Sequence, residues 1–294
     1  MISTICCALM DDAAAPYPPT TPGTPLPAGA WDAHVHLLGG PEHALSPTRV
    51  EDPPAGIDFD RWLAMYRAHL DALGCTRGLV VHSILYGTDN TVTLAAVRAL
   101  GAGFKGVGLL PDAAPVKDIR HFADSNVVAV RLNYVHGGVL SWDGAKAMAP
   151  ALKDHDMHIQ MLLHADQHIA ELADDIRALP VPLVIDHCGW PTDLNPDHPA
   201  IDTLCALLAD GHIHIKLSAP YRLTRTIAEV QPLMRRLITA NPDHILWGSD
   251  WPHIMLGDAS MPHAAHLADI VTDIASDAEC QKIFVTNPDT LFAP

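Results

Sequence analysis

Trp31-Asp32-Ala33-His34-Val35-His36-Leu37, at residues 31–37, alternates apolar and polar side chains without a break. That two-residue period is the mark of a strand, and it puts Asp32, His34 and His36 on one face. Working outward, seven more short β-branched or apolar runs follow: 78–83, 105–110, 127–134, 158–164, 183–188, 214–218 and 245–249. Helix-period stretches lie between them at 58–73, 88–100, 142–155, 169–179, 200–209 and 227–240, with a closing helical region after Met261. Buried strands alternating with amphipathic helices are repeated βα units, and eight of them close into an α/β (β/α)8 TIM barrel. The rival doubly wound sheet needs a Gly-rich phosphate loop after the first strand. Leu38-Gly39-Gly40-Pro41 lacks the GxGxxG spacing.

The segment before Ala30 is rich in proline, which excludes a helix or an inner strand. Residues 1–29 are therefore expected to form an extended leader, and residues 30–294 one barrel domain. The 294 residues carry 18 Lys+Arg against 34 Asp+Glu, a net charge of −16. That balance argues against a nucleic-acid surface and a polybasic membrane anchor. Hydrophobic residues at 49% supply a large core. Cys6, Cys7, Cys75, Cys188, Cys205 and Cys280 form no CxxC pair, so neither a zinc ribbon nor a disulfide scaffold is expected, and a reducing cytoplasm fits. Met1 to Met10 is apolar but has no basic start and no small-residue cleavage site, so no secretion signal is expected. Homo-oligomerisation stays open.

The chemistry is expected where strands end, at the carboxyl mouth of the barrel. His34 and His36 end the first strand, His187 follows the run Val184-Ile185-Asp186, and Asp250 follows Leu246-Trp247-Gly248-Ser249 on the eighth. One carboxylate and three imidazoles suit hydrolysis of an activated carbonyl, the carboxylate taking a proton from water while imidazole N–H groups steady the oxyanion. The same four side chains also suit one divalent zinc or manganese ion, and spacing does not separate the two. His212 and His214 form a second HxH at the start of a strand, the structural end of a barrel. His164 would add a fourth imidazole if it pointed inward.

These motifs, with Gly87-Thr88-Asp89-Asn90, Trp251-Pro252-His253 and Thr286-Asn287-Pro288, resemble the amidohydrolase superfamily. The branch they resemble contains the pyrone-dicarboxylate lactonase, the sulfomuconolactone hydrolases and galactarolactone isomerase. The resemblance implies a lactone hydrolase with Asp250 as general base, His34, His36 and His187 around the substrate carbonyl, and no required metal. It also implies that Arg131 and Arg222 hold substrate carboxylate. His136-Gly137, Trp190 and Leu162 stand where the pyrone lactonase has a basic pair, an arginine and a tyrosine, so fewer substrate charges can be neutralised. The expected substrate is a small lactone with one carboxylate or a sugar-acid lactone, read by Asn133, Tyr134, Trp190, Tyr221 and His253. A lactone isomerase, a metal-dependent hydrolase or decarboxylase, and a non-catalytic sugar-binding barrel are the alternatives.

Overall fold

The computed structural model describes residues 13–256 and 260–292. The apolar opening with Cys6 and Cys7, and the first part of the leader, lie outside the described residues. Eight parallel strands pair in chain order: β1 (Ala30–Val35), β2 (Cys75–Val81), β3 (Phe104–Gly108), β4 (Val127–Asn133), β5 (His158–Leu162), β6 (Leu183–Ile185), β7 (Ile213–Ser218) and β8 (Ile245–Gly248). The ring closes just past β8, where the His36 N–H donates to the Trp251 carbonyl and the Asp250 N–H to the His34 carbonyl, each at 2.8 Å. Gly248 permits this closeness, since a Cβ there would lie 2.5 Å from the His34 backbone nitrogen. The fold is the (β/α)8 barrel that the alternating runs predict.

Helices α1 (Phe59–Leu73), α2 (Thr91–Leu100), α3 (Val116–Asp124), α4 (Trp142–Lys153), α5 (Ala165–Ala178), α6 (Pro199–Ala209), α7 (Gln231–Ala240) and α8 (Ala264–Ile274) follow the strands. Local signals set their ends. Asp58 accepts from the Arg61 N–H at 2.8 Å, and Gly74 closes α1 at φ 77°, the left-handed cap that glycine adopts without steric cost. Asp89 accepts from the Thr91 N–H at 2.8 Å, so α2 starts later than its pattern suggests. The sequence pattern does not single out α3, a nine-residue helix that buries only Ile119 and Phe122. The sixth run reads as a strand to Cys188, yet β6 stops at Ile185 because His187 and Cys188 take positive φ and leave the ladder.

Two apolar clusters hold the molecule. The larger packs helices on strands; the smaller gathers Trp31, Ala33, Leu79, Val81, Val107, Ala129, Val184 and Leu246, joined by Phe292 of the closing helix. Phe292 stacks on His158, so the closing helix covers the amino ends of the strands and leaves their carboxyl ends free. The described leader lies along the helices: the Gly23 N–H donates to Asp269, and Tyr17 stacks on His263. Among the described residues no helix is long and apolar enough to cross a membrane.

Candidate active site

The loops that leave β6, β7 and β8 hold non-glycine residues in left-handed backbone: His187, Cys188 and Trp190, then Ala219, then Asp250 and His253. Each such residue costs about 1–3 kcal/mol, and such strain persists where surrounding structure enforces it, often at reacting centres. Here hydrogen bonds enforce it. The Asp250 N–H is tied to His34, the His253 N–H donates to the Asp250 carbonyl at 2.9 Å, and the Trp190 N–H donates to the His187 carbonyl at 2.8 Å.

His34, His36 and Asp250 meet as a triangle. The two Nε2 atoms are 3.3 Å apart, and Asp250 Oδ1 lies 3.6 Å from His34 Nε2 and 3.5 Å from His36 Nε2. His36 Nδ1 is 2.9 Å from the Val81 carbonyl, which can only accept, so Nδ1 carries a proton, and in the neutral ring Nε2 presents a lone pair. The other Asp250 oxygen is taken: Oδ2 accepts from the Tyr221 hydroxyl at 2.5 Å and from Arg222 Nε at 2.9 Å. Burial works against the Asp250 charge, but Arg222 and the neighbouring imidazoles outweigh it and hold the carboxyl well below the usual range. His187 pairs its Nδ1 with the Ser218 hydroxyl at 2.8 Å; burial drives its imidazole down to about 4 despite Asp250 and Asp186, so it is neutral near pH 7.

Beneath the triangle lies a polar layer that the strand pattern did not mark as functional. Lys216 of β7 is fully buried, its Nζ 2.6 Å from Gln160 Oε1, 3.3 Å from His34 Nδ1 and 3.5 Å from Asp186 Oδ1. Gln160 Nε2 donates to Asp186 Oδ2 at 3.1 Å. Burial lowers the Lys216 ammonium to about 8 against the pull of Asp186, leaving it largely protonated at neutral pH. Burial also opposes the Asp186 charge, yet His34 and Lys216 hold that carboxyl far below its ordinary value. The available signal was a lysine amid the alternating apolar residues of a strand, on a barrel whose inside faces are all covered. Asp32 sits apart, accepting from the Ser249 N–H and hydroxyl at 2.8 and 2.7 Å.

A pocket of about 80 Å³ opens above, lined by His36, Arg131, Asn133, Leu162, His187, Trp190, Arg222 and Asp250, among others. Arg131 is buried; its Nη1 donates to the His82 carbonyl at 2.7 Å, and its Nε has no protein partner. His34 is not at the pocket wall but one step below it, fully buried. Arg222 departs from the expected carboxylate fork: Nε goes to Asp250, Nη1 to the Met255 carbonyl at 2.9 Å and Nη2 to the Ile254 carbonyl at 2.8 Å. Its planar donors fit this loop and carboxylate together, so it holds Asp250. Tyr134 donates to Glu171 at 3.0 Å and packs edge-on to His168, away from the pocket lining. Tyr221 and His253 are also absent from that lining; His253 Nδ1 lies 3.4 Å from the Tyr221 hydroxyl, behind Asp250. His164 Nδ1 donates to the Trp190 carbonyl at 2.7 Å and so braces that loop.

Residues 31–293 match the amidohydrolase family. The chain belongs to that family. This amidohydrolase is 32% identical to a 4-sulfomuconolactone hydrolase of Hydrogenophaga intermedia, over 91% of this chain and 89% of the other. It is also 32% identical to a 2-pyrone-4,6-dicarboxylate hydrolase of Comamonas testosteroni, over 94% of each. Its backbone is similar to a crystal structure of an apo Agrobacterium tumefaciens protein, at TM-score 0.83 and 23% identity, covering 93% of this chain and 99% of that one. A Burkholderia multivorans amidohydrolase of similar fold, 20% identical to this chain, was solved with bound zinc, and three side chains here pass a geometric test for such an ion. Around a tetrahedral zinc with bonds of about 2.0–2.1 Å, ligand atoms stand ~3.4 Å apart. The edges of 3.3, 3.5 and 3.6 Å match one face of that tetrahedron. The donor set of two imidazoles and a carboxylate also suits zinc or manganese, provided His34 offers its Nε2 lone pair.

Proposed function

We propose that this amidohydrolase opens a small carboxylated lactone by adding water to the ring carbonyl. The observation that carries the reading is the division of labour between the Asp250 oxygens. Oδ2 is fixed by Tyr221 and Arg222, while Oδ1 is left toward the histidines at the pocket floor. In the proposed reaction a water held at Oδ1 attacks the carbonyl carbon, its proton passes to Oδ1, and the carbonyl electron pair becomes an oxyanion. His187, neutral and held through Nδ1 by Ser218, turns its other ring nitrogen to that oxygen. When the oxyanion collapses, the ring C–O bond breaks and the alkoxide recovers the proton from Asp250, giving a hydroxy acid.

Arg131 supports the carboxylate on the substrate, because its guanidinium is buried beside the reacting groups with Nε unpartnered. The two relatives are named for hydrolysing a sulfonated muconolactone and a pyrone dicarboxylate, both acidic cyclic esters. Only with His34 bare at Nε2 would His34, His36 and Asp250 hold a divalent ion, which would then add Lewis-acid polarisation of the same carbonyl. The free thiols of Cys75, Cys188, Cys205 and Cys280 suit a reducing cytoplasm as the setting.

The test is a panel of mono- and dicarboxylic lactones followed by proton release, with Asp250→Asn beside the native protein. Hydrolysis of at least one acidic lactone, reduced by about 10³-fold or more in the variant, supports the reading. Undiminished turnover in the variant removes Asp250 as base. An exchanged lactone without acid release would mean that an internal hydroxyl attacks instead of water.

A further inference from the structure

Lys216 is a buried cation that the proposed hydrolysis leaves without a task. Its ammonium and the Asp186 carboxylate compete for one atom, His34 Nδ1: Lys216 Nζ is 3.3 Å away and Asp186 Oδ1 is 3.2 Å away. A donor at Nδ1 makes His34 the Nε2–H tautomer, and an acceptor there makes it the Nδ1–H tautomer. Alignment separates the two contacts. The Lys216 contact meets hydrogen-bond angles and the Asp186 contact does not, so Asp186 acts on the imidazole chiefly through its charge.

The rest of the chain of hydrogen bonds runs the same way. His36 Nδ1–H donates to the Val81 carbonyl, so His36 Nε2 is an acceptor, and it faces His34 Nε2 at 3.3 Å. Lys216 to His34, His34 to His36 and His36 to Val81 then form one continuous direction in which every proton has an acceptor. In that direction His34 Nε2 carries a hydrogen and has no lone pair to give a metal. We infer that Lys216 is a positioning residue that locks His34 in the Nε2–H tautomer and so keeps the His34, His36 and Asp250 triangle from capturing a divalent cation.

Charge works to the same end. Lys216, Arg131 and Arg222 place three positive charges at or below the pocket floor, against the carboxylates of Asp186, Asp250 and Asp32. A dication ligated by His34 would force an Nδ1–H against the Lys216 ammonium. Gln160 and Asp186 hold that ammonium from behind, so Lys216 has no room to withdraw. The consequence for catalysis rests on the hydrolase reading above; the inference itself concerns a tautomer and a metal affinity, and its test uses no substrate.

Long-range proton–nitrogen spectra of the full-length protein, labelled with 15N in histidine, read the tautomer directly at neutral pH, with His34 assigned by difference against His34→Gln. The native protein should show His34 protonated at Nε2 and bare at Nδ1. Competition with a chelator for zinc then compares the native protein with Lys216→Met and Lys216→Arg, and His36→Gln corrects for zinc held elsewhere. Lys216→Met should gain about tenfold or more in zinc affinity and turn His34 to Nδ1–H toward Asp186, while Lys216→Arg, which keeps a cationic donor, should stay near native. A native His34 protonated at Nδ1 overturns the inference, as does a folded Lys216→Met with unchanged zinc affinity. If Lys216→Met does not fold, Lys216→Gln takes its place in the titration, and the native tautomer decides alone.

Discussion

Gly248→Ala tests whether the approach of β8 to β1 sets the reacting geometry. A Cβ at residue 248 would lie 2.5 Å from the His34 nitrogen and 2.9 Å from its Cα. Ordinary contact begins at 3.4 Å, so β1 must retreat by about 0.9 Å or the ring must open locally. Either movement stretches the bond from the Asp250 N–H to the His34 carbonyl, now 2.8 Å, and shifts Asp250 Oδ1 relative to His36. A misplacement near 1 Å costs about 10²-fold in rate, and overpacking costs about 1–3 kcal/mol in stability. The variant is expected to stay folded, lose about 10²-fold in kcat/KM on an acidic lactone found by the panel, and show a lower urea midpoint. Steady-state kinetics beside urea unfolding reads both. Activity within threefold of native, in a variant of native stability, would show that β1 yields freely and that close packing at residue 248 does not position the site.

Arg131→Met should raise KM about 10- to 100-fold for a lactone bearing a carboxylate, the worth of a charged hydrogen bond, and change an uncharged lactone little. Equal losses on both would remove Arg131 as the carboxylate contact. Arg222→Met leaves the buried Asp250 without its ion pair and the Ile254 and Met255 carbonyls without donors, and should destabilise by about 3–5 kcal/mol in urea unfolding. A loss under about 1 kcal/mol would mean that Arg222 is free to bind substrate after all. Acid should weaken the fold well above the carboxylate range. Burial lowers His69 and His82 to about 4 and His214 to about 3, whereas each returns to 6.5 on unfolding. These imidazoles stay neutral when folded, so the unfolded chain takes up protons first: their stabilisation is complete above pH 6.5 and declines as pH falls toward the folded values. Each contributes up to about 1.4 kcal/mol per pH unit in that window. A urea midpoint that stays flat from pH 7 to pH 5 would contradict this.

Legibility followed the range of the signal. Strand alternation around His34 and His36, and the apolar runs ending at Asp186 and Gly248, are local patterns, and all eight strands stand close to where those runs lie. Helix α3 escaped notice because it buries two side chains and carries the periodic signal of neither a long nor a strongly apolar helix. The roles of Arg222 and Tyr221 were out of reach for another reason. A cation and a phenol near a strand end read equally well as substrate contacts or as supports for Asp250, and only their distances to Oδ2 favour the second.

Local side-chain pattern therefore determines which segments are strands, how many there are, and that His34, His36, His187 and Asp250 lie at strand ends. The period of two says which residues share a face but not what that face meets across the barrel. That Lys216 of β7, Gln160 of β5 and Asp186 after β6 converge under His34 of β1 is decided by closure of the ring, which brings together side chains up to 182 residues apart. Hydrogen-bond direction, and with it the proton on each imidazole, exists only once those partners are in reach.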